Sequence, residues 1–233
     1  MTSTLFIWQA SVPDVMAQGG DISACLTAPE QARAARFVVP GARDAFCAAR
    51  FMLRQVLADC LSCSPAAVQF VLGPEGKPGL VPPGYHFNLS HSGEMIMLAV
   101  NADYPVGIDV EKIDLHRPVD ELVRRFFSAQ EVASYQAYGG KDERRAAFYQ
   151  GWTRKEAVLK AIGCGLSYPL SDFSVGFSDQ AAVSWPSLLS PTEQEAAQLK
   201  TLSAETGYAA AVSVIGPVAA WEHNHWRAAP GRR

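Results

Sequence analysis

The chain contains two long helical segments that begin with the same pattern, Arg-x-Ala-Phe, one in each half of the sequence. The first begins at Arg43 and the second at Arg145. Each is followed by a glycine-rich loop and a predicted strand, at residues 85–89 and 172–177. This weak repeat with matched element order predicts a duplication into two α/β subdomains of about 100 residues, with the seam near Pro105. Chance similarity between two amphipathic helices is the alternative interpretation.

Composition narrows the class of protein. Hydrophobic residues make up 48% of the 233 positions, charged residues make up 18%, and the formal net charge is -3. These values predict a folded chain with a sizeable core, and they exclude a disordered polymer and a nucleic-acid-binding polycation. Any phosphate binding must therefore come from cations placed locally.

The N-terminus and the cysteines bear on the compartment. Residues 1–10 show no basic leader before a long apolar stretch, and no window is apolar enough to span a bilayer, so we expect a cytoplasmic protein. Five cysteines, an odd number, favour reduced thiols. Cys60 and Cys63 have redox or metal spacing but lack a second pair, and we interpret them as incidental. His223 and His225 are interpreted as surface histidines, and residues 227–233 as a mobile tail.

Residues 107–112 carry the first candidate site. Ile108 and Val110 alternate with Asp109 and Glu111, so a strand would place both carboxylates on one face. Two hard oxygen ligands suit Mg²⁺, which keeps waters and completes its octahedron with phosphate oxygens of a substrate. This pattern therefore predicts a metal site that serves a phosphorylated substrate. An ordinary solvent-exposed strand face is the alternative.

A helix around residues 148–162 carries the second candidate site. Trp152, Glu156 and Lys160 follow i, i+4, i+8 spacing beside a mainly apolar stripe. The helix can therefore bury one edge and present Glu156 and Lys160 to a cleft. A surface ion pair is the alternative interpretation.

A third segment, residues 85–93, predicts a strand that ends in Ser90, His91, Ser92 and Gly93. Hydroxyls, an imidazole and loop amides at one strand end form a plausible anion cradle. A proline- and glycine-rich run at residues 73–80 precedes it and contains Lys77.

With these segments in order, the chain resembles the 4′-phosphopantetheinyl transferases of the type that activates surfactin synthetase. The motifs are Gly-Lys-Pro, Asn-x-Ser-His-Ser, Gly-Ile-Asp-x-Glu and Trp-x-x-Lys-Glu-Ala-x-x-Lys with a Gly-x-Gly-Leu-x-x-Pro-Leu tail, found between residues 76 and 170. The length fits this type better than the shorter, trimeric holo-acyl-carrier-protein synthases. The resemblance implies an α/β (α+β) pseudo-dimer whose two subdomains each pack a small, mainly antiparallel sheet with a long helix. It also implies a monomer divided into residues 1–104, which bind coenzyme A, and 105–233, which hold the metal and dock the carrier.

The resemblance implies transfer of the 4′-phosphopantetheine arm of coenzyme A to a serine of an apo acyl or peptidyl carrier protein, with release of adenosine 3′,5′-bisphosphate. The implied Mg²⁺ ligands are Asp109, Glu111 and Glu156. The catalytic residues would be Asp109, Glu156 and Lys160. Glu156 would act as the base, directly or through a bound water, with His91 as the rival base.

The same resemblance implies a set of coenzyme A contacts. The expected residues are Lys77, Ser90, His91, Lys155 and Lys160, with Arg33 and Arg43 reaching the 3′-phosphate. Residues 120–131, which include Arg124, Arg125 and Phe126, resemble the family's Arg-Phe-Phe-Ser-x-x-Glu run and would suit an acidic carrier protein. Residues 184–206 match nothing and are interpreted as a surface loop and helix.

Two other functions use the same residues. A Mg²⁺-dependent pyrophosphate hydrolase would employ water as the nucleophile, and a binding module descended from the transferase would keep the docking face without the chemistry. The sequence does not choose among fatty acid, polyketide and non-ribosomal peptide carriers, or between Mg²⁺ and Mn²⁺.

Overall fold

The computed structural model describes residues 3–18 and 22–227. Its strands are β1 (Thr4–Ser11), β2 (Gln69–Leu72), β3 (Pro78–Val81), β4 (His86–Ser92), β5 (Met95–Asn101), β6 (Val106–Lys112), β7 (Ala197–Leu202), β8 (Tyr208–Ile215) and β9 (Ala220–His225). Its α-helices are α1 (Val12–Ala17), α2 (Ala28–Ala34), α3 (Pro40–Leu61), α4 (Val119–Phe126), α5 (Ala129–Gln136), α6 (Lys141–Ile162) and α7 (Pro191–Ala196).

The strands form two main sheets and a hairpin. The first sheet has the order β4-β5-β1-β9, in which β1 and β9 run parallel and the other neighbours run antiparallel. The second sheet is antiparallel with the order β6-β8-β7, and β2 pairs with β3. β9 follows the second sheet in the chain, yet Ile7 of β1 lies opposite His223 of β9. The end of the chain therefore returns to complete the first sheet.

Each long helix covers one sheet. α3 begins at Pro40, whose fixed φ suits the first helical turn, and its Met52 and Leu57 pack with Leu98 of β5 in a buried core. α6 packs on β6 and β8. It ends at Ile162 and is capped by Gly163, whose φ of 82° is a left-handed conformation that glycine adopts without steric cost.

A further core lies between the two sheets. It is built from alternate side chains of four strands: Leu5 and Ile7 of β1, Met95 and Met97 of β5, Ile108 and Val110 of β6, and Val212 and Val214 of β8. Because strand side chains alternate between faces, the opposite faces of these strands remain free to pack against helices. The layers therefore run α3, first sheet, second sheet, α6.

α6 approaches the second sheet very closely at Gly107. A Cβ atom on Gly107 would lie 2.1 Å from the carbonyl oxygen of Ala157 and 2.2 Å from the amide nitrogen of Ala161. Ala211 lies opposite Asp109 in β8, so the same sheet face also carries a small side chain there. These small residues let the helix backbone touch the sheet, which brings α6 side chains beside those of β6.

The predicted fold class is confirmed. The chain is α/β, with small, mainly antiparallel sheets that pack against long helices. Two local predictions were wrong. Residues 172–177 were predicted as a strand but form only a single β-bridge, between Ser174 and Ser184. Residues 184–206 contain strand β7 in addition to the expected loop and helix.

The remaining sequence features fall at the periphery. Cys60 lies in the last turn of α3 and Cys63 is exposed beyond it, and neither forms a disulfide bond. His223 and His225 lie on β9. The expected mobile tail lies outside the described residues from position 228 onwards.

Candidate active site

The place where β4, β6 and α6 meet gathers three of the predicted site residues in direct contact. The Nζ atom of Lys160 lies 2.5 Å from Oδ1 of Asp109 and donates to Oγ of Ser90 at 3.2 Å. The Ser90 hydroxyl donates to the same Asp109 oxygen at 3.1 Å. Ser90 belongs to the first sheet, Asp109 to the second and Lys160 to α6, so both halves of the chain build this cluster.

Glu156 and Glu111 join the cluster through charge. Burial and the negative charges of Asp109 and Glu111 raise the pKa of Glu156 to about 7, although the Lys160 ammonium group opposes this rise. Burial and Asp109 likewise raise the pKa of Glu111. Like charges this close disfavour one another's ionised form, and one ammonium group does not neutralise three carboxylates. The cluster is therefore short of positive charge.

A divalent cation would supply that charge. Asp109 is 4% exposed, and its Oδ2 atom is buried without a hydrogen-bond partner. A buried carboxylate oxygen of this kind is costly unless a ligand satisfies it, and carboxylate oxygens are the ligands that Mg²⁺ takes. Within residues 3–18 and 22–227, no three His, Cys, Asp or Glu side chains are already arranged to hold a metal. The donor chemistry fits, and the three carboxylates would have to converge to bind one ion.

His91 follows Ser90 of the cluster in β4, and its side chain is exposed. Restricted hydration by the surrounding protein, together with the positive charges of Lys160 and Arg33, lowers the pKa of His91. The imidazole is therefore mainly neutral at pH 7, and it lies within the influence of one cation from α6 and another from α2.

Lys77 lies at the junction of the two halves. Its Nζ atom donates to the carbonyl oxygens of Val106 at 3.0 Å and Ala161 at 2.9 Å. Burial lowers the pKa of Lys77 to about 8. The side chain also lines a cavity of about 520 Å³ together with Glu75 and His86. Lys77 thus fastens the end of α6 to the start of β6 while facing a cavity large enough for part of a ligand.

Lys155 precedes Glu156 in α6 and lies about 100° from it around the helix axis, away from the cluster. Its ammonium group is fully buried, 2.8 Å from Oε2 of Glu131, and donates to the carbonyl oxygens of Leu170 and Phe173 at 2.7 and 2.6 Å. Glu131 also accepts from the amide of Val175 at 2.8 Å. This ion pair fastens α5 and the segment after α6 to the helix, and Glu131 was not among the predicted residues.

Arg33 and Arg43 are both exposed. The guanidinium group of Arg33 lies 5.2 Å from the ring centroid of Phe46 of α3. Glu30 of α2 forms ion pairs with Arg50 and Arg54, which hold α2 against α3. The structure therefore fixes the helix that presents Arg33 near His91, and it places Arg43 in the first turn of α3.

Asn88 and Arg117 lie beside the cluster and were not predicted as site residues, and Ser92, predicted as part of an anion cradle, contacts a carboxylate. The hydroxyl of Ser92 donates to Oε2 of Glu111 at 3.0 Å, and Oδ1 of Asn88 accepts from the amide of Ile108 at 2.8 Å. The positive charge of Arg117 acts on Glu111. The alternation of Asn88, Ser90 and Ser92 signals a polar strand face, but it does not reveal what lies opposite that face.

Comparison with known proteins identifies the family of this chain. The family profile described as the 4′-phosphopantetheinyl transferase superfamily matches residues 105–213, and that described as 4′-phosphopantetheinyl transferase, N-terminal, matches residues 8–103. The chain is 33% identical to the 4′-phosphopantetheinyl transferase HetI of Nostoc over 72% of each chain. It is 34% identical to the 4′-phosphopantetheinyl transferase Sfp of Bacillus subtilis over 71% of each. The chain belongs to the 4′-phosphopantetheinyl transferase superfamily.

The predicted family and enzyme class are thereby confirmed. A putative 4′-phosphopantetheinyl transferase of Synechocystis is 39% identical over 62% of this chain and 59% of its own length. Membership in the superfamily supports phosphopantetheine transfer from coenzyme A to carrier proteins by this transferase. In the part of the transferase that the structure describes, no helix combines the length and apolarity that a membrane crossing requires.

Proposed function

We propose that this transferase moves the 4′-phosphopantetheine arm of coenzyme A to a serine of an apo acyl or peptidyl carrier protein in a Mg²⁺-dependent reaction that releases adenosine 3′,5′-bisphosphate. The observation that carries the proposal is the buried Asp109 carboxylate. One of its oxygens contacts Lys160, and the other has no hydrogen-bond partner. The second oxygen of this carboxylate can bind a cation, and the neighbouring lysine can contact a phosphate chain.

Asp109, Glu111 and Glu156 would hold Mg²⁺, as the chemistry of this donor set supports. When bound, the ion neutralises the diphosphate of coenzyme A, which would otherwise repel an incoming alcohol and the carboxylates themselves. Mn²⁺ accepts the same ligands, so the proposal covers either ion in solution.

The side chains of the protein supply positioning and charge. Lys160 contacts the diphosphate, and His91, whose pKa responds to the charges of Lys160 and Arg33, contacts a phosphate as well. Glu156 accepts the proton of the carrier serine, directly or through a bound water. Its pKa of about 7 belongs to the metal-free cluster, and Mg²⁺ held by the same carboxylate would lower that pKa. The serine oxygen bonds to the phosphorus that carries pantetheine, and the bond from that phosphorus to the adenosine 3′,5′-bisphosphate group breaks.

Residues 1–104 would hold most of coenzyme A, with the transfer site at their border with residues 105–233. Lys77 and Ser90 stay in this proposal as residues at the junction, and the exposed Arg33 and Arg43 are proposed to reach the 3′-phosphate. We leave Lys155 out of the phosphate contacts, because its ammonium group is paired with Glu131 and wholly buried.

The carrier protein is proposed to dock beside α4. A groove of about 500 Å³ lies there between α4 and the start of α6. Five cationic side chains line it, Arg117, Arg124, Lys141, Arg144 and Arg145, against two carboxylates, Asp120 and Glu121. The charge of Arg117 also reaches Glu111, so the groove leads towards the carboxylate cluster. A basic groove suits an acidic helical partner, and we propose a cytoplasmic monomer as the acting form.

Analysis of the nucleotide product tests this proposal. We expect adenosine 3′,5′-bisphosphate to form in amounts equal to the modified carrier, and only when apo carrier protein and Mg²⁺ are both present. Glu156→Gln and Asp109→Asn should each abolish product while the far-UV circular dichroism stays unchanged. Product formation without any carrier would instead identify a hydrolase.

A further inference from the structure

Two edge strands of different sheets meet at the cluster, and their contact is not an ordinary ladder. β4 is the edge of the first sheet and β6 is the edge of the second. The amides of Ile108, Val110 and Lys112 donate to the side-chain oxygens of Asn88, Ser90 and Ser92, at 2.8, 3.3 and 3.0 Å. Side chains thus take the place of backbone carbonyls as acceptors. We call these three contacts the side-chain seam.

In two of the three contacts, the serine hydroxyl also donates a hydrogen bond to a carboxylate of β6. Ser90 accepts from the amide of Val110 and donates to Asp109, and Ser92 accepts from the amide of Lys112 and donates to Glu111. A hydroxyl has one proton to donate, and here that proton points at a carboxylate. Asn88 forms the third contact, with the amide of Ile108. The residue before Ile108 is Gly107, which has no carboxylate.

The seam fixes the rotation of each hydroxyl. An amide that donates to the serine oxygen from one side leaves the O–H bond directed to the other, towards the carboxylate. The carboxylate oxygen that accepts this bond is held in one orientation, and the second oxygen is left for another ligand. For Asp109 the second oxygen is the Oδ2 atom without a partner.

We propose that Ser92 is a positioning residue that orients Glu111 for metal binding, as Ser90 orients Asp109. This inference rests on the proposed function, because it concerns the same carboxylates. It goes further in assigning to the second serine of the strand an action on the cation through Glu111, without contact with the phosphates. A residue that orients a metal ligand in this way typically changes metal affinity by 10- to 100-fold when it is removed.

Two variants of equal shape test the inference. Ser92→Thr keeps the hydroxyl. Ser92→Val removes the hydroxyl, and the valine side chain has the same volume and branching as threonine. Mn²⁺ binding to the protein without coenzyme A, followed by electron paramagnetic resonance, is the readout. We expect Ser92→Val to weaken Mn²⁺ binding by roughly 10-fold and Ser92→Thr to stay within about 3-fold of the wild type.

Asn88→Ala is the matched control, because it breaks a seam contact that holds no carboxylate. It should lower the unfolding temperature but leave Mn²⁺ affinity within about 3-fold of the wild type. In a Glu111→Gln background, Ser92→Val should cause no further loss of Mn²⁺ affinity. Equal Mn²⁺ affinity of the Thr and Val variants would overturn the inference, as would an equal loss in Asn88→Ala and Ser92→Val.

Failure of the proposed function gives a different result. Wild-type protein that binds no Mn²⁺ and transfers nothing would refute the metal-dependent transfer, and the positioning role with it. Wild-type protein that binds Mn²⁺ and transfers normally, beside a Ser92→Val variant that does the same, would refute the positioning role alone.

Discussion

At the scale of single residues, the pKa of Glu156 reflects the excess of negative charge in the cluster when no substrate is bound. Folding raises its pKa from 4.5 to about 7. A group whose pKa is raised in the folded state binds more protons there than in the unfolded state, so its contribution to stability is complete below pH 4.5 and is lost as the pH rises through 7. We therefore expect this group to lower the stability of the metal-free protein across that range.

Glu156→Gln should remove this loss of stability, because glutamine does not ionise. At pH 8 without metal, the variant should be more stable than the wild type by on the order of 1–3 kcal/mol, which corresponds to several degrees of Tm. Calorimetry across pH 4.5–8 checks this, with the exposed Glu205→Gln as the control. Superimposable pH profiles for Glu156→Gln and wild type would contradict the account of the cluster.

The two lysines of the α6 motif should behave in opposite ways. Lys155→Ala leaves Glu131 buried without its partner, so we expect a loss of about 3–5 kcal/mol in unfolding free energy. Lys160→Ala removes a half-buried cation that faces the cleft, so we expect a folded protein with transfer reduced at least 100-fold, the scale of losing one charge-stabilising donor.

Urea unfolding and steady-state kinetics of both lysine variants separate these roles. A stable Lys155→Ala protein with a raised KM for coenzyme A would return Lys155 to the phosphate contacts.

At the scale of elements, the contact between β6 and α6 decides whether the cluster forms. A side chain at Gly107 would meet helix backbone, which cannot rotate away. We expect Gly107→Ala to cost about 3 kcal/mol and to lower transfer, because β6 must move away from α6. Gly41→Ala is the matched control, since a Cβ atom there meets nothing within 4 Å. Equal urea midpoints for wild type and Gly107→Ala would contradict this close packing.

The elements also show what a sequence can and cannot predict. The carboxylate alternation in β6 and the Glu156–Lys160 stripe in α6 depend only on local periodicity, so the sequence predicted both. The burial of Lys155 depends on Glu131, which lies in another helix, and a charged residue at helical spacing gives no sign of such a partner. β7 was missed because its sequence follows a proline- and glutamate-rich stretch typical of a loop.

At the scale of the whole molecule, the two halves are fastened to each other at several places. Lys77 bonds the ends of β6 and α6, the side-chain seam joins β4 to β6, and β9 returns to pair with β1. Sequence repetition indicated two similar halves. The repeat could not predict that β9 pairs with β1, because parallel pairing between strands far apart in the sequence depends on how the whole sheet assembles. The cluster lies at the junction, so its geometry depends on these links.

The central claim is that this junction transfers phosphopantetheine with the help of a divalent cation. Intact-protein mass spectrometry of apo carrier protein, incubated with this protein, coenzyme A and Mg²⁺ with and without chelator, tests it most directly. The account predicts a gain of one phosphopantetheine on the carrier that disappears with chelator. An unmodified carrier across acyl and peptidyl types, or modification that persists undiminished in chelator, would contradict it.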